Sequence, residues 1–201
     1  MSLFKKLFNQ KPDNASEGKK SERGKYMPEV QLPADERFTK QFILNGGKFL
    51  YCLDMDEIFE SFDNIMLEND WYESQVYCMD DKLASKFNGY NLEFCQSPDA
   101  AFFLTTCENL IANDGSLLVS SKQIKEKKLH ELPKNFVVFA VTSQIVNNIG
   151  EGLRGIKTKN TGSIPTNITT IKNFEPHEDS KDFMSYGSSS KNLYLLLLED
   201  L

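Results

Sequence analysis

The chain is poor in the residues from which most catalytic centres are built. It has two histidines, His130 and His177, one tryptophan and four cysteines in 201 residues. Neither histidine lies in a triad context, and no serine sits in a G-x-S-x-G elbow, so a nucleophile–base pair has no written form here. The cysteines, Cys52, Cys78, Cys95 and Cys107, include no C-x-x-C pair of the kind that holds zinc or an iron–sulfur cluster. They are expected to be buried, reduced thiols. With the histidines far apart and in polar surroundings, no metal and no bound cofactor are expected. No apolar run approaches the roughly 20 residues a membrane helix needs. The opening "MSLFKKLFNQKPD" lacks a sustained apolar stretch and a small-residue cleavage site, so the reading expects a cytoplasmic protein.

What is present is an ordinary globular balance, with 40% hydrophobic and 26% charged residues. The net charge of −6 is unevenly placed. Residues 1–25 carry seven Lys or Arg against three acids, which leaves a net −10 on residues 26–201. An acidic body repels phosphate backbones, so nucleic acid is not expected as a partner. Residues 9–27 are rich in charge, Gly, Ser and Pro and lack apolar periodicity, the composition of a linker. Ahead of them "LFKKLF" would place Leu3, Phe4, Leu7 and Phe8 on one helical face. Residues 3–8 could dock on a membrane surface or partner; at so short a length a frayed terminus is the preferred reading. The expected division is therefore residues 1–27, a short amphipathic helix and charged linker, and residues 28–201, one α/β domain.

Within that domain a helix after Pro33 should stop at Gly46 and Gly47. "KFLYCL" reads as a strand, and "DMDEIFESFDNIMLEND" as an amphipathic helix with Ile58, Phe59, Phe62, Ile65 and Met66 on its inner face. "SQVYCM" is a strand, "DDKLASKFN" a short helix, and "DAAFFLTT", "GSLLVSS", "NFVVFAVT", "NITTI" and "NLYLLLLED" are further strands. Such alternation signals a mostly parallel sheet with helices on both faces. The run "EKKLHE" around His130 reads as a solvated face. Trp71 and Tyr72 suit core or interface equally.

"NIGEGLRGIK" spells a G-x-G-x-x-G at Gly150, Gly152 and Gly155, with Glu175 twenty residues beyond. A dinucleotide fingerprint requires its first glycine directly off a strand end. Here "TSQIVNNI" intervenes after the strand that ends near Val141. Ile145, Ile149, Leu153 and Ile156 form one stripe of a helix that has already begun, with Thr142 or Ser143 as its cap. The glycines then lie within a helix, where close packing on the sheet is one reason for them.

Between Cys107 and Val146 a turn "ANDGS" leads into a buried strand, and a polar excursion ending in "ELP" leads into the next. This order resembles the lactate utilization protein C family, the LUD domain, in which an "I-A-E-T-G-S" type turn and an "L-P" occupy these places. Ile111, Ala112, Gly115, Ser116, Leu132 and Pro133 fall on that pattern. The resemblance returns at "TGSIPTNIT", residues 161–169, and at "YGSSSKNLYLLLL", residues 186–198. It implies a three-layer α/β fold similar to that of sugar-phosphate isomerases and CoA transferases. It also implies a ligand site drawn from Asn113, Asp114, Gly115, Ser116, Thr166, Asn167, Gly187 and Ser189. The family's acidic, arginine and histidine members are missing at these places, so the site would be polar and mostly neutral. Asp114 before Gly115 equally suits an ordinary turn, as do Asn113 and Ser116. Thr166 and Asn167 could simply begin a strand, and Gly187 to Ser190 could be a turn or an anion nest. The three segments are expected to converge beyond strand ends.

By resemblance the chain is expected to be a non-cofactor accessory or subunit of an iron–sulfur L-lactate oxidation system, with iron–sulfur protein subunits as partners. The alternatives are a stand-alone enzyme acting on a phosphorylated or CoA-linked metabolite, and a scaffold that has lost an ancestral site.

Overall fold

The structure, a computed structural model, describes residues 32–174 and 191–200. The expected amino-terminal helix and linker, His177, and Gly187 and Ser189 of the candidate site lie outside the described residues.

The acidic pair Asp35 and Glu36 favours the start of the first helix, α1 (Ala34–Leu44). Gly46, at φ 84°, ends it where the sequence placed a stop. Its apolar face sets Phe38 and Phe42 fully out of water. Strand β1 (Lys48–Cys52) leads to α2 (Met55–Asn69). Asp54 caps α2 by accepting from the Glu57 N–H at 2.9 Å, and the Glu57 side chain accepts in return from the Leu53 N–H. Of the predicted stripe, Ile58, Phe62, Ile65 and Met66 are buried and Phe59 is half-buried. After β2 (Gln75–Tyr77) come α3 (Asp81–Lys86), β3 (Glu93–Cys95) and β4 (Phe102–Thr106). A hairpin of β5 (Asn109–Ile111) and β6 (Ser116–Val119) follows, then the one-turn α4 (Ser121–Ile124). Strand β7 (Asn135–Val141), the two-residue β8 (Ile145–Val146), α5 (Ile149–Lys159), β9 (Thr169–Ile171) and β10 (Asn192–Leu198) complete the order.

Six strands form one parallel sheet in the order β1-β10-β7-β4-β2-β3. Strand β10 lies inside it, which is why "NLYLLLL" is a continuous apolar run instead of an alternating one. Tyr194 and Leu196 point to a face packed by α2 and α3 through Ile58, Phe62, Met66 and Leu83. Leu193, Leu195 and Leu197 point to the opposite face, where they meet Phe38, Phe42, Leu110, Leu117 and Ile171. That face is covered by α1 together with a second sheet, β8-β5-β6-β9, in which β6 pairs antiparallel with both neighbours. The three-layer α/β architecture is therefore present, with one layer built partly from strands. Trp71 belongs to the core, stacked on Phe102 at 4.8 Å, while Tyr72 is exposed and donates to Asp63.

The segment after β7 departs from expectation. Thr142–Gln144 is a short turn, Ile145 and Val146 pair with β5, and α5 begins only at Ile149. Its cap is Asn148, which accepts from the Glu151 N–H at 3.0 Å; Thr142 and Ser143 bond Asp200 instead. The expected stripe is also split: Ile156 is buried against Ile111 and Leu118, whereas Ile149 and Leu153 are exposed. A two-residue strand has no periodicity to reveal it. Gly152 explains one of the three glycines, since a Cβ there would lie 3.0 Å from Leu118 Cδ2 on the second sheet. Gly155 meets nothing within 4 Å.

Replacing Gly155 by Ala is therefore expected to stabilise the fold by up to about 1 kcal/mol, the helix-propensity difference. The same change at Gly115, at φ 68° with Gln41 and Phe42 backbone atoms 2.4 Å from its Cβ position, should cost at least about 2 kcal/mol. Urea unfolding of the two variants, followed by Trp71 fluorescence, measures both; equal effects would show that these environments are misassigned.

Candidate functional site

The turn Asn113–Ser116 joins β5 to β6, and its polar groups are engaged on all sides. Asp114 Oδ1 accepts from the Ser116 N–H at 3.2 Å and from Ser116 Oγ at 2.7 Å, closing the turn on itself. The Asp114 carbonyl accepts from Asn45 Nδ2 at 2.7 Å, at the end of α1. Asn113 Oδ1 accepts from Arg37 Nη1 at 2.9 Å. The other guanidinium branch reaches Asn147 Oδ1, and Asn147 passes its own amide to Glu151 at 3.1 Å. Glu151 also takes the Asn147 backbone N–H, and these bonds hold its carboxyl below the usual range. Among the described residues no carboxylate pairs with Arg37 directly, and its buried Nε has no hydrogen-bond partner. Arg37 was not legible as a site residue: nothing near "ADERF" marks it.

Thr166 and Asn167 stand at the other end of the β6–β9 ladder. The Thr166 N–H bonds Ser121 Oγ at 3.0 Å, the Ser121 N–H returns to the Thr166 carbonyl at 2.8 Å, and Thr166 Oγ1 donates to Glu126 at 2.8 Å. Asn167 Nδ2 donates to the carbonyls of Lys125 and Lys127. With Ser116 at one end of β6 and Ser121 beyond the other, strand rise sets the two segments roughly 15 Å apart, at about 3.3 Å per residue. They do not converge. Antiparallel pairing is the reason: β9 runs back along β6, so Lys172, 3.9 Å from Asp114, and not Thr166, meets the first turn. The third segment, Gly187 to Ser190, is outside the described residues.

A cavity of about 170 Å³ lies instead at the carboxyl ends of β2 and β4, lined by Met79, Asp80, Leu104, Thr105, Thr106, Lys122 and Gln123. None of these was singled out from the sequence. The available signal was positional: "DD" follows the strand "SQVYCM", and Lys122 follows "GSLLVSS", where α/β sheets hold ligands.

The LUD domain matches residues 95–198, about half of the sequence. The chain belongs to the LUD domain family. A crystal structure of a DUF162 family protein from Deinococcus radiodurans has a similar fold, with a TM-score of 0.58 at 12% identity over 84% of this chain and 99% of that one. At that identity the likeness speaks for fold alone. Comparison with curated proteins gives no match.

The LUD domain's "L-P" has a visible use here. The carbonyls of Leu132 and Pro133 accept from Lys191 Nζ at 3.0 and 2.9 Å, at the start of β10. Lys191 is 3% exposed, and the Phe136 ring lies 5.1 Å from its ammonium. Burial first, and the neighbouring Lys134 second, push its pKa down to about 8. At the opposite end of the sheet Asp200 accepts from Thr142 Oγ1, Ser143 N–H and Ser143 Oγ at 2.6–2.8 Å. Burial opposes its ionisation, but these bonds outweigh it and hold the carboxyl below its ordinary value. The cysteines are free thiols; Cys52, Cys78 and Cys107 are buried and Cys95 half-buried. Burial drives the Cys107 thiol far above its usual range, so it is not a nucleophile near neutral pH. Among the described residues no three of His, Cys, Asp and Glu stand together as metal ligands would. Among the same residues no helix is long and apolar enough to cross a membrane.

A lysine whose folded pKa lies below its unfolded one lowers stability while both states are protonated, and the penalty lifts as the folded ammonium loses its proton. Stability attributable to Lys191 should thus rise between about pH 8 and its unfolded pKa of about 10.4, by on the order of 3 kcal/mol in full. Denaturant midpoints of the native chain and Lys191→Met across that interval isolate the effect. Parallel curves would mean that Lys191 titrates as an exposed lysine does.

Proposed function

We propose that this LUD domain protein is a non-cofactor accessory or subunit of a cytoplasmic iron–sulfur system that oxidises L-lactate, with the clusters carried by partner subunits. The observation that carries a non-catalytic role is the use of the Asn113–Ser116 turn. Where the family has its best-matched motif, this chain commits the turn's amide and carboxylate oxygens to Arg37, Ser116 and α1. Asp114 accepts two hydrogen bonds from Ser116 and stands 3.9 Å from Lys172, an arrangement that holds the carboxylate in the turn. The sequence has no cluster motif of its own, which suits a companion of cluster-bearing subunits. Apolar side chains left in water on α5, Ile149 and Leu153, are consistent with association.

A second reading, a stand-alone enzyme acting on a phosphorylated or CoA-linked metabolite, draws support from one feature: the lysines beside the cavity at the ends of β2 and β4.

L-lactate-dependent dye reduction in extracts of the native host lacking this chain separates the readings. The companion role predicts that activity falls to background and returns when purified protein is added, while the purified protein alone oxidises no lactate. Undiminished activity in the deletion extract would overturn it, and turnover of a phosphorylated or CoA-linked compound by the purified chain alone would favour the second reading.

A further inference from the structure

The cavity at the carboxyl ends of β2 and β4 shares Met79, Asp80 and Lys122 with a shallower cleft to which Asp81, Lys82 and Lys125 contribute. Three lysines and two aspartates line the pair, in a body where residues 26–201 carry a net −10. The local excess of positive charge runs against the rest of the surface.

Of the carboxylates around the cleft, Asp80, Glu108 and Glu126 are bonded elsewhere, and Asp81 also lines it. Asp80 Oδ1 accepts from the backbone N–H groups of Lys82 and Leu83 and so caps α3. Glu126 accepts from Thr166 Oγ1, and Glu108 from Ser120 Oγ at 2.7 Å. Lys122 gives one proton to Asn160 Oδ1 at 2.7 Å and keeps two for another acceptor. Among the described residues none of Lys82, Lys122 and Lys125 has a carboxylate within 4.0 Å.

Lys125 also sits at φ 51° and ψ −134°, a conformation that glycine adopts freely and lysine does not. Strain of this kind persists only where the surroundings impose it. Asn167 imposes it by donating to the carbonyls on either side of Glu126, those of Lys125 at 2.8 Å and Lys127 at 2.9 Å. The paired bonds between Ser121 and Thr166 tie the start of the same loop to the segment leading into β9. A loop that is braced twice and holds a lysine out of its preferred backbone presents that lysine at a fixed place.

We propose that this cleft binds a compact oxyanion, the phosphate or carboxylate group of a small metabolite, with Lys82, Lys122 and Lys125 as cationic donors and Asn167 as the residue that positions Lys125. Only Lys122 of the three reaches the cavity of about 170 Å³; the cleft that all three line is about 400 Å³, within the roughly 300–1,000 Å³ of small-molecule sites, so it has room for a small metabolite that carries the oxyanion. The inference does not depend on the companion role: a subunit and an enzyme could each hold such a ligand.

Titration of the full chain with sodium phosphate, and separately with sodium acetate, tests it when ionic strength is held constant with chloride and backbone amide shifts are read by NMR. Saturable shifts confined to residues 79–82, 105–106 and 121–127 are expected for at least one anion, and which one saturates first tells a phosphate ligand from a carboxylate. Lys122→Ala combined with Lys125→Ala should weaken that binding at least about tenfold, whereas Lys157→Ala on the exposed side of α5 should not. Asn167 sits at φ 50°, so Asn167→Gly keeps that left-handed backbone and all three lysines but loses the amide that holds the loop, and should weaken binding too. Shifts that never saturate, that spread over lysines elsewhere, or that survive the double substitution unchanged would overturn the proposal.

Discussion

The packing of α1 against the β5–β6 turn is the contact on which the rest of this domain depends. Gly115 lies so close to the backbone of Gln41 and Phe42 that a Cβ there would sit 2.4 Å from their atoms, and its φ of 68° is one that other residues avoid. At the carboxyl end of the helix Asn45 bonds the Asp114 carbonyl; near its amino end Arg37 reaches Asn113 and Asn147. Between these two fastenings Phe38 and Phe42 enter the core shared by both sheets. The second sheet is thereby fixed over one face of the parallel sheet, and with it the direction in which β6 delivers α4.

That direction decides where chemistry can occur. Strand β6 starts at the clamped turn and leads into Ser120, whose hydroxyl bonds Glu108 just past β4. Lys122, Gln123 and Lys125 therefore arrive at the carboxyl ends of β2 and β4, where the cavity lies. The residues of the family's first motif and the residues of the cavity stand at opposite ends of one short strand. One end carries the structural fastening and the other the open polar surface.

The sequence disclosed the elements with long periodic patterns and missed those without them. Ile58, Phe62, Ile65 and Met66 announce α2, and the unbroken "NLYLLLL" announces an interior parallel strand, because burial of a stripe or of both faces leaves a pattern in residue type. Of the second sheet, β6 and β9 were legible as strands, but β5 and β8 have three and two residues, too few for a period, so their pairing went unseen and Ile145 was assigned to a helix. The turn at Asn113–Ser116 was legible as a turn and as a family motif, but its partner Arg37 lies 76 residues away and no local pattern points to it. Convergence of that turn with Thr166 and Asn167 was expected from loop positions alone; the antiparallel return of β9 places them apart. Lys122 and Lys125 were not singled out in the sequence, since only the three-dimensional ends of β2 and β4 distinguish them from neighbouring lysines.

The claim that the Asn113–Ser116 turn is a fastening for α1 is tested most directly by a double-mutant cycle on unfolding free energy with Arg37→Met, Asn113→Ala and the two combined. The account predicts that each single change destabilises the chain and that the pair is coupled by about 1 kcal/mol or more, as a charge-assisted hydrogen bond requires. Effects that add to within about 0.5 kcal/mol, the behaviour of independent sites, would contradict it.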